Sequence, residues 1–362
     1  MTLAVPSASQ PAPVSTTPVG WPSAERRAAF EHWLSGIAAA HGLQPETLEP
    51  ASTDASFRRY LRVQGRDGSL IVMDAPPPLE DVRPFVRVAG LIHDAGLHAP
   101  AVLACDADQG FLLLTDLGRE LYLDALRDDS RRESLMRDAL SALVAWQLRV
   151  PATALPAFDQ AVLRRELELF PQWCVQREFG ITWDARQQAS WQTVCDRLVA
   201  SALDQPQLAV HRDWMPRNLM VCAPANPGIL DFQDAACGPI TYDLASLLRD
   251  AFLSWDEERE IDWAVRWWQQ ARDAGVPLGE AFAADFGEFW RALEWMGLQR
   301  HLKVLGIFCR LKHRDGKPRY TTDLPRFFAY ANKVALRYRP LQPLLALLEP
   351  LSGTRVEQGF TF

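Results

Sequence analysis

The sequence of 362 residues predicts an α+β protein of two lobes, a small antiparallel sheet with one helix followed by a larger and mainly helical lobe. Three observations predict this class. Five strand-like segments between about residues 48 and 114 enclose a single helical segment. From about Leu121 onwards, apolar residues recur at helical spacing. A chain of this length can also build two hydrophobic cores.

The first lobe is predicted to begin with a helix that is capped by Ser23 and ends at Gly42. Strands are expected at about 48–52, 59–63, 70–74, 101–105 and 111–114, with a helix at 79–94. This order is that of the N-terminal lobe of the protein-kinase-like fold, and the segment 115–118 is predicted to be a hinge. We therefore expect a disordered tail at 1–22, a nucleotide-binding lobe at 23–117 and a helical lobe at 118–362, with one helix at about 159–179.

Composition and charge argue against several kinds of protein. The formal net charge of -7 disfavours a nucleic-acid binder, which normally presents a basic face. The six cysteines form no C-x-x-C pair, so reduced thiols are expected rather than disulfides or a zinc site. The uncharged, proline-interrupted start does not resemble a signal peptide, and no window reaches the run of about 18 apolar residues of a membrane span. We expect a cytoplasmic monomer with no nucleic-acid or membrane partner.

The chemistry is concentrated within residues 209–249, where two apolar runs each end in acidic residues. The first run leads into His211 and Asp213, with Asn218 five residues after that Asp, and the second leads into Asp231. An H-x-D-x-x-x-x-N spacing followed by a strand-borne Asp is typical of kinase-type phosphotransferases.

Phosphoryl transfer to a hydroxyl requires few groups from the protein. Asp213 is the predicted catalytic carboxylate, which orients the attacking hydroxyl or accepts its proton. The amide oxygen of Asn218 and the carboxylate of Asp231 are hard oxygen ligands that suit a metal ion, and His211 is predicted to brace the loop. The alternative is a polar surface loop with capping groups. A surface loop of this kind does not explain why Asn, which is rare in this sequence, occurs at the required spacing.

Three neighbouring residues leave alternatives open. Asp234 would hold a second metal, hydrogen-bond the acceptor or stabilise its loop. Asp243 is expected to be an N-cap or first-turn acid of a helix, a structural role that includes bracing the catalytic loop. Arg217 would contact phosphate or substrate, or be solvated.

The nucleotide-binding half departs from the kinase pattern at the turn between the first two strands, which in a kinase covers the phosphates. Here the turn runs from Ser52 to Ser56 and contains no glycine. Its backbone N–H groups, with the hydroxyls of Ser52, Thr53 and Ser56, are candidate phosphate ligands. A polar hairpin loop is the simpler interpretation.

A second departure lies on the third strand, where Met73 or Asp74 stands in place of the usual phosphate-binding lysine. Arg58 or Arg59 is the predicted replacement, because a guanidinium also binds phosphate. Glu80 would either orient that arginine or be a favourable first-turn acid. Two hinge residues are further candidates for nucleotide contact: Thr115 and Leu117.

The segments HRDWMPRNLM and ILDFQDAACGPITYDLASLL resemble the aminoglycoside phosphotransferase superfamily, the small-molecule branch of the kinase fold. Within that superfamily, the chain from about Ala24 onwards resembles the bacterial anomeric N-acetylmuramate/N-acetylglucosamine kinases of peptidoglycan recycling. This closer likeness rests on the segments RRYLRV, IVMDAPP, FLLLTDLG, MGLQRHLKVLGIF, RDGKPRY and DLPRF. Met73 and Asp74 match that family, so the missing lysine does not by itself imply an inactive enzyme.

The resemblance implies ATP and Mg²⁺ as cofactors, a sugar site in the second lobe, and transfer to the C1 hydroxyl to give the sugar 1-phosphate. An anomeric hydroxyl is more acidic than an ordinary alcohol, so one carboxylate such as Asp213 suffices to assist it. N-acetylmuramate also carries a lactyl carboxylate. Arg300 and Lys303, on a helix predicted at about 290–312, are candidate cations for it, with a solvated basic helix face as the alternative.

Two other functions remain open from the sequence. A kinase of another small alcohol, such as choline, homoserine or an aminoglycoside, would use the same loop, although the basic segment near Arg300 disfavours a polycationic acceptor. The missing lysine also motivates a nucleotide-binding pseudokinase. The intact Asp213, Asn218 and Asp231 argue against it.

Overall fold

The computed structural model describes residues 20–51, 58–77, 79–223 and 225–352. These residues belong to two compact units, one within Met1–Val86 and Pro100–Asp116, the other within Arg87–Ala99 and Leu117–Phe362. Residues 1–19 of the expected tail lie outside the described residues, as do three predicted phosphate ligands: Ser52, Thr53 and Ser56.

A five-stranded antiparallel sheet forms the first unit, with the spatial order β1-β2-β3-β5-β4. The order of strands with one inserted helix confirms the predicted fold class. Along the chain the elements are α1 (Ala24–His41), β1 (Gln44–Pro50), β2 (Arg59–Gly65), β3 (Gly68–Asp74), α2 (Arg83–Asp94), β4 (Val102–Asp106) and β5 (Phe111–Thr115).

Helix α1 begins and ends where the sequence predicts. The hydroxyl of Ser23 accepts a hydrogen bond from the backbone N–H of Arg26 at 3.1 Å. Gly42 ends the helix with a φ of 61°, a left-handed conformation that glycine adopts without strain. Between these caps, Phe30 and Leu34 lie in one buried cluster with apolar residues of the sheet.

The carboxylate of Asp74, at the end of β3, is fully buried and joins α1 to the sheet. It accepts hydrogen bonds from Nε of Arg26 and from Nε of Arg59, each at 2.9 Å. A buried carboxylate is tolerated because these two cations compensate its charge.

The second unit is mainly helical, which confirms the other half of the predicted fold class. In its two short sheets, β6 (Gln207–Val210) pairs with β9 (Ala236–Pro239) and β7 (Leu219–Met220) pairs with β8 (Gly228–Ile229). None of the described helices has the length and apolar character that crossing a membrane requires. The helices are α3 (Tyr122–Ala125), α4 (Asp129–Arg149), α5 (Gln160–Leu167), α6 (Ala185–Leu203), α7 (Tyr242–Leu248), α8 (Glu257–Ala274), α9 (Gly279–Ala284), α10 (Phe286–His313), α11 (Leu324–Arg337) and α12 (Leu345–Ser352).

The prediction of one continuous helix at 159–179 was wrong. Asp159 caps α5 as an N-cap, but α5 is followed by a separate π-helical segment, Phe170–Glu178. Pro171 cannot donate a backbone N–H and its ring clashes with the carbonyl four residues earlier, so the regular α-helical hydrogen bonding is interrupted there.

Helix α10 packs against the π-helical segment, α7 and α11. A Cβ atom at Gly306 would overlap the backbone of Leu169, so glycine permits the close approach of these two segments. Because α10 is buried over much of its length, the polar residues on it must find partners inside the unit.

We expect Arg26→Met to lower the free energy of unfolding by about 2 kcal/mol, since the buried Asp74 would keep only one cation. The side chain of Arg26 is 11% exposed and that of Asp74 is 0% exposed. Arg27→Met on the same helix removes an ion pair whose side chains are 60% and 56% exposed, and should change stability by less than about 0.5 kcal/mol. Urea unfolding followed by circular dichroism measures both, and equal effects would contradict this assignment.

Candidate active site

The predicted catalytic residues lie in the loop of residues 211–218, termed the catalytic loop, which connects β6 to β7. It ends in a short 3₁₀ helix, Pro216–Asn218. Asp231 follows β8, which pairs with β7. The backbone N–H of Leu230 donates to the carbonyl of Asn218 at 2.9 Å, so the segment carrying Asp231 is hydrogen-bonded directly to the catalytic loop.

Asp243, in the first turn of α7, anchors the start of the catalytic loop. Its fully buried carboxylate accepts the backbone N–H of His211 at 2.7 Å and that of Arg212 at 2.9 Å. Burial raises the pKa of Asp243 to about 7, the charge of Asp213 adds to this, and the two N–H donors oppose it. These contacts favour the bracing role over a simple helix cap.

His211 is fully buried and connects both acidic segments. Its Nε2 lies 3.0 Å from the carbonyl oxygen of Leu230, and its Nδ1 lies 3.3 Å from the backbone N of Asp213. Since a carbonyl only accepts, Nε2 carries the proton and Nδ1 accepts from Asp213. Burial lowers the pKa of His211, which keeps the ring neutral and preserves this arrangement.

Arg212 has a φ of 76°, a left-handed conformation that costs a non-glycine residue about 1–3 kcal/mol. Tertiary contacts hold it there. Its carbonyl accepts from Nη1 of Arg300 at 3.0 Å and from the hydroxyl of Ser246 at 3.4 Å, while its N–H is bound by Asp243. Its guanidinium donates to Glu166 at 2.8 Å. The backbone that carries Asp213 is thus fixed from several sides.

The structure brings Asp213, Asn218 and Asp231 together. The amide nitrogen of Asn218 donates to the carbonyl of Asp213 at 3.0 Å and to the carboxylate of Asp231 at 3.4 Å. Asp231 has a φ of 60°, and its other carboxylate oxygen accepts from Gln233 at 2.9 Å. With both amide hydrogens of Asn218 used in this way, its amide oxygen is the atom left to bind a cation.

These residues fit a metal ion that is shared with phosphate oxygens. Within the described ranges, no group of three or more His, Cys, Asp or Glu side chains is arranged as a metal site. Asn218 and Asp231 would supply two oxygen ligands, and Mg²⁺ usually binds one or two protein oxygens together with substrate phosphates and water.

Cations around Asp213 favour its ionised form. Burial alone would raise its pKa, but the positive charges of Lys303 and Arg300, together with that of Arg212, lower the pKa below its ordinary value. Asp213 is therefore a carboxylate at neutral pH, able to accept a hydrogen bond from a hydroxyl.

Arg300 and Lys303, predicted from the sequence to contact the substrate, have their observed contacts inside the second unit. The guanidinium of Arg300 lies 4.9 Å from the ring centroid of Tyr242 and donates to the Arg212 carbonyl. Nζ of Lys303 donates to Glu166 at 2.7 Å and to the hydroxyl of Tyr242 at 3.0 Å. Their contact with a substrate stays a prediction.

Glu166 is a site residue that was not predicted from the sequence. It lies on α5 three residues after the buried Leu163 and four before the buried Phe170, and so on the apolar face of the helix. Burial opposes its ionisation, but Lys303 and Arg212 lower its pKa. An acid within an apolar helical stripe is the signal that would have identified it.

The other two predicted substrate residues differ in exposure. Asp234 is exposed, and its backbone carbonyl accepts from Nη1 of Arg212 at 3.4 Å. The guanidinium of half-buried Arg217 lies 5.3 Å from the ring centroid of Phe252. Neither contact decides between the alternatives left open by the sequence.

In the first unit, the two candidate arginines have different partners. Arg58 forms an ion pair with Glu80 at 3.4 Å. Arg59 donates to Asp74 and lies 4.3 Å from the ring centroid of Trp21. Met73 is fully buried, so neither it nor Asp74 is placed as a phosphate ligand.

The hinge residues are held by local contacts. The hydroxyl of Thr115 accepts the backbone N–H of Ala101 at 2.8 Å within the first unit. The carbonyl of Leu117, which belongs to the second unit, accepts from the thiol of Cys222 at 3.3 Å. Their predicted contacts with nucleotide stay predictions.

These features define a kinase-type phosphotransferase: a small antiparallel sheet with one helix, a helical unit, and a His-x-Asp loop that is hydrogen-bonded to the segment carrying a second Asp. The chain belongs to the phosphotransferase enzyme family, whose model matches residues 47–286. It is similar to the N-acetylmuramate/N-acetylglucosamine kinase of Pseudomonas aeruginosa, with 55% identity over 307 residues that cover 85% of this chain and 89% of that protein. The protein of the same name from Neisseria meningitidis is 43% identical over 343 residues, covering 93% and 100%.

Two solved structures show the same fold at low sequence identity. A choline/ethanolamine kinase family protein from Mesorhizobium loti has a TM-score of 0.56 at 16% identity, covering 88% of this chain and 98% of that chain. An ADP-bound aminoglycoside phosphotransferase has a TM-score of 0.55 at 12% identity, covering 86% and 98%.

We expect Asp243→Asn to lower kcat about tenfold or more, because an asparagine NH₂ group faces one backbone N–H of the catalytic loop and leaves it unpaired. Turnover is measured as ADP release with an acceptor present, and folding by circular dichroism. Ser246→Ala, which removes a 3.4 Å contact to the same loop and a 2.9 Å hydrogen bond within α7, should cost less than about threefold. A folded Asp243→Asn variant with unchanged turnover would contradict the bracing role.

Proposed function

We propose that this protein is an ATP-dependent kinase that phosphorylates the anomeric C1 hydroxyl of N-acetylmuramate and N-acetylglucosamine, giving the sugar 1-phosphate in peptidoglycan recycling. The observation that carries the proposal is the contact of Asn218 with both Asp213 and Asp231. This contact joins the backbone of Asp213, the proposed catalytic residue, to the two proposed metal ligands, and it occurs in a chain that is 55% identical to a kinase named for these sugars. The proposed partners are ATP and the sugar alone, in a cytoplasmic, monomeric enzyme.

Asn218 and Asp231 would hold Mg²⁺, which when bound supplies positive charge to the phosphate oxygens. Asp213 is the proposed residue that acts on the acceptor hydroxyl. Its carboxylate, kept ionised by the cations around it, accepts a hydrogen bond from the C1 hydroxyl and orients its oxygen for attack. A weak base suffices because an anomeric hydroxyl is more acidic than an ordinary alcohol and because phosphoryl transfer proceeds through a loose transition state.

Arg58 is the proposed cation for the nucleotide phosphates. Arg59 is held by Asp74 and Trp21, whereas Arg58 forms an ion pair with Glu80 at 3.4 Å. A glutamate that orients a phosphate-binding cation is the arrangement of the kinase lysine–glutamate pair. Ser52, Thr53, Ser56, Thr115 and Leu117 remain proposed nucleotide contacts.

Arg217 and Asp234 are the proposed substrate contacts on the acceptor side. Both lie within three residues of a proposed metal ligand along the chain, and both have exposed or half-buried side chains. Arg217 supplies a cation that suits the lactyl carboxylate of N-acetylmuramate, and Asp234 supplies an acceptor for sugar hydroxyls.

The proposal is tested with the purified protein, Mg-ATP and a panel of N-acetylmuramate, N-acetylglucosamine, choline, homoserine and an aminoglycoside, with products identified by phosphorus NMR. We expect a sugar 1-phosphate from the amino sugars. Asp213→Asn should lower kcat by about 10²–10⁴-fold while ATP still binds, because it removes the acceptor carboxylate but not the nucleotide site. Phosphorylation of another alcohol alone, or ATP binding without any transfer, would overturn the proposal.

Arg58→Met is expected to raise the KM for ATP about tenfold or more, through loss of a charge-assisted contact to phosphate. Arg59→Met is the matched control. It should lower thermal stability, because Asp74 loses a partner, and leave the KM for ATP within about twofold. The opposite result, with the KM effect on Arg59, would assign the phosphate contact to that residue.

A further inference from the structure

A buried polar cluster of Glu166, Arg212, Tyr242 and Lys303 lies behind the catalytic loop. One carboxylate oxygen of Glu166 accepts from Arg212 at 2.8 Å and from Lys303 at 2.7 Å. Its other oxygen accepts from the hydroxyl of Tyr242 at 3.3 Å. The side chains of Glu166 and Lys303 are 8% and 14% exposed. These four residues come from α5, the catalytic loop, α7 and α10.

Such a cluster is a poor source of stability. Removing two charges from water costs free energy that their mutual attraction often fails to recover, and well-packed apolar residues frequently do as well or better. The cluster therefore calls for another explanation, and the geometry of the loop provides one.

Glu166 connects Lys303 to the residue whose backbone is strained. Arg212 holds a left-handed φ of 76° immediately before Asp213 along the chain. The guanidinium of Arg212 is bound by Glu166, and Glu166 is bound in turn by Lys303. Loss of Lys303 would remove one of the two cations bound to Glu166, so that Glu166 shifts, and with it the guanidinium of Arg212, the residue immediately before Asp213.

The ammonium of Lys303 is directed into the cluster, where it donates hydrogen bonds to Glu166 and to the hydroxyl of Tyr242. Its ammonium also lies 5.7 Å from the Tyr242 ring centroid. An ammonium has three donors, and two of them are used here. Contact with the lactyl carboxylate of a sugar would require Lys303 to leave partners that are themselves buried.

We propose that Lys303 is a positioning residue, which acts through Glu166 and Arg212 to hold Asp213 in its reactive geometry, and not a ligand of the sugar. This inference rests on the proposed kinase function. A positioning role predicts that Lys303 contributes equally to kcat for acceptors with and without a carboxylate.

The test compares Lys303→Met and Lys303→Arg with N-acetylmuramate, which carries a lactyl carboxylate, and N-acetylglucosamine, which does not. For Lys303→Met we expect kcat to fall about tenfold or more with both sugars, and both KM values to stay within about threefold. Lys303→Arg keeps a cation for Glu166 and should restore kcat to within about fivefold of wild type. A KM increase confined to N-acetylmuramate would instead make Lys303 a sugar ligand, and unchanged kcat would remove it from the reaction.

Lys312→Met is the matched control, because Lys312 lies on the same helix and pairs with Glu178 at 2.6 Å, outside the cluster. It should leave both kinetic constants unchanged. Where Lys303→Met fails to fold, Glu166→Gln takes its place: it keeps the shape of the side chain, removes the charge and is expected to show the same loss of kcat alone.

Amide hydrogen exchange of residues 211–215 separates this inference from the proposed function, since it requires no acceptor. We expect faster exchange in Lys303→Met and no change in Lys312→Met, because only the first variant releases the catalytic loop. Unchanged exchange in Lys303→Met would overturn the positioning role. A wild-type protein that phosphorylates neither sugar would overturn only the proposed function, and the exchange measurement would still decide the role of Lys303.

Discussion

One buried carboxylate, that of Asp243, determines where the catalytic loop begins. It accepts two consecutive backbone N–H groups, those of His211 and Arg212, which would otherwise be unpaired in the interior. Arg212 then adopts a left-handed backbone that only tertiary contacts can maintain. Asp213 follows directly, so the position of the predicted catalytic group depends on a helix that begins 29 residues later along the chain.

The charges behind the loop explain how a buried acid remains ionised. Arg212 and Lys303 pair with the single carboxylate of Glu166, and Arg300 on α10 adds a third cation, which leaves an excess of positive charge beside Asp213. This lowers the pKa of Asp213 despite its partial burial. A carboxylate of that kind is a weak base but a strong hydrogen-bond acceptor, and it suits a reaction in which positioning contributes more than proton abstraction.

The first unit shows how two adjacent arginines acquire different partners. Arg59 enters β2 and meets the buried Asp74 of the neighbouring strand, while Arg58 precedes the strand and meets Glu80. Successive residues of an extended chain point to opposite sides, which agrees with the different partners of the two guanidinium groups. The two arginines thus bind different carboxylates within the same unit.

The sequence by itself determined the order of the helices and strands, because hydrophobic spacing is a local property. It also predicted that Asp213, Asn218 and Asp231 act together, because these residues lie in one short loop and directly after the next strand, where the structure brings them together. Only the tertiary structure decided the different partners of Arg58 and Arg59 and the pairing of Glu166 with Lys303, residues 137 positions apart. The physical reason is that a charged side chain takes its partner from whatever packing places within about 3 Å, and no spacing along one element encodes that choice.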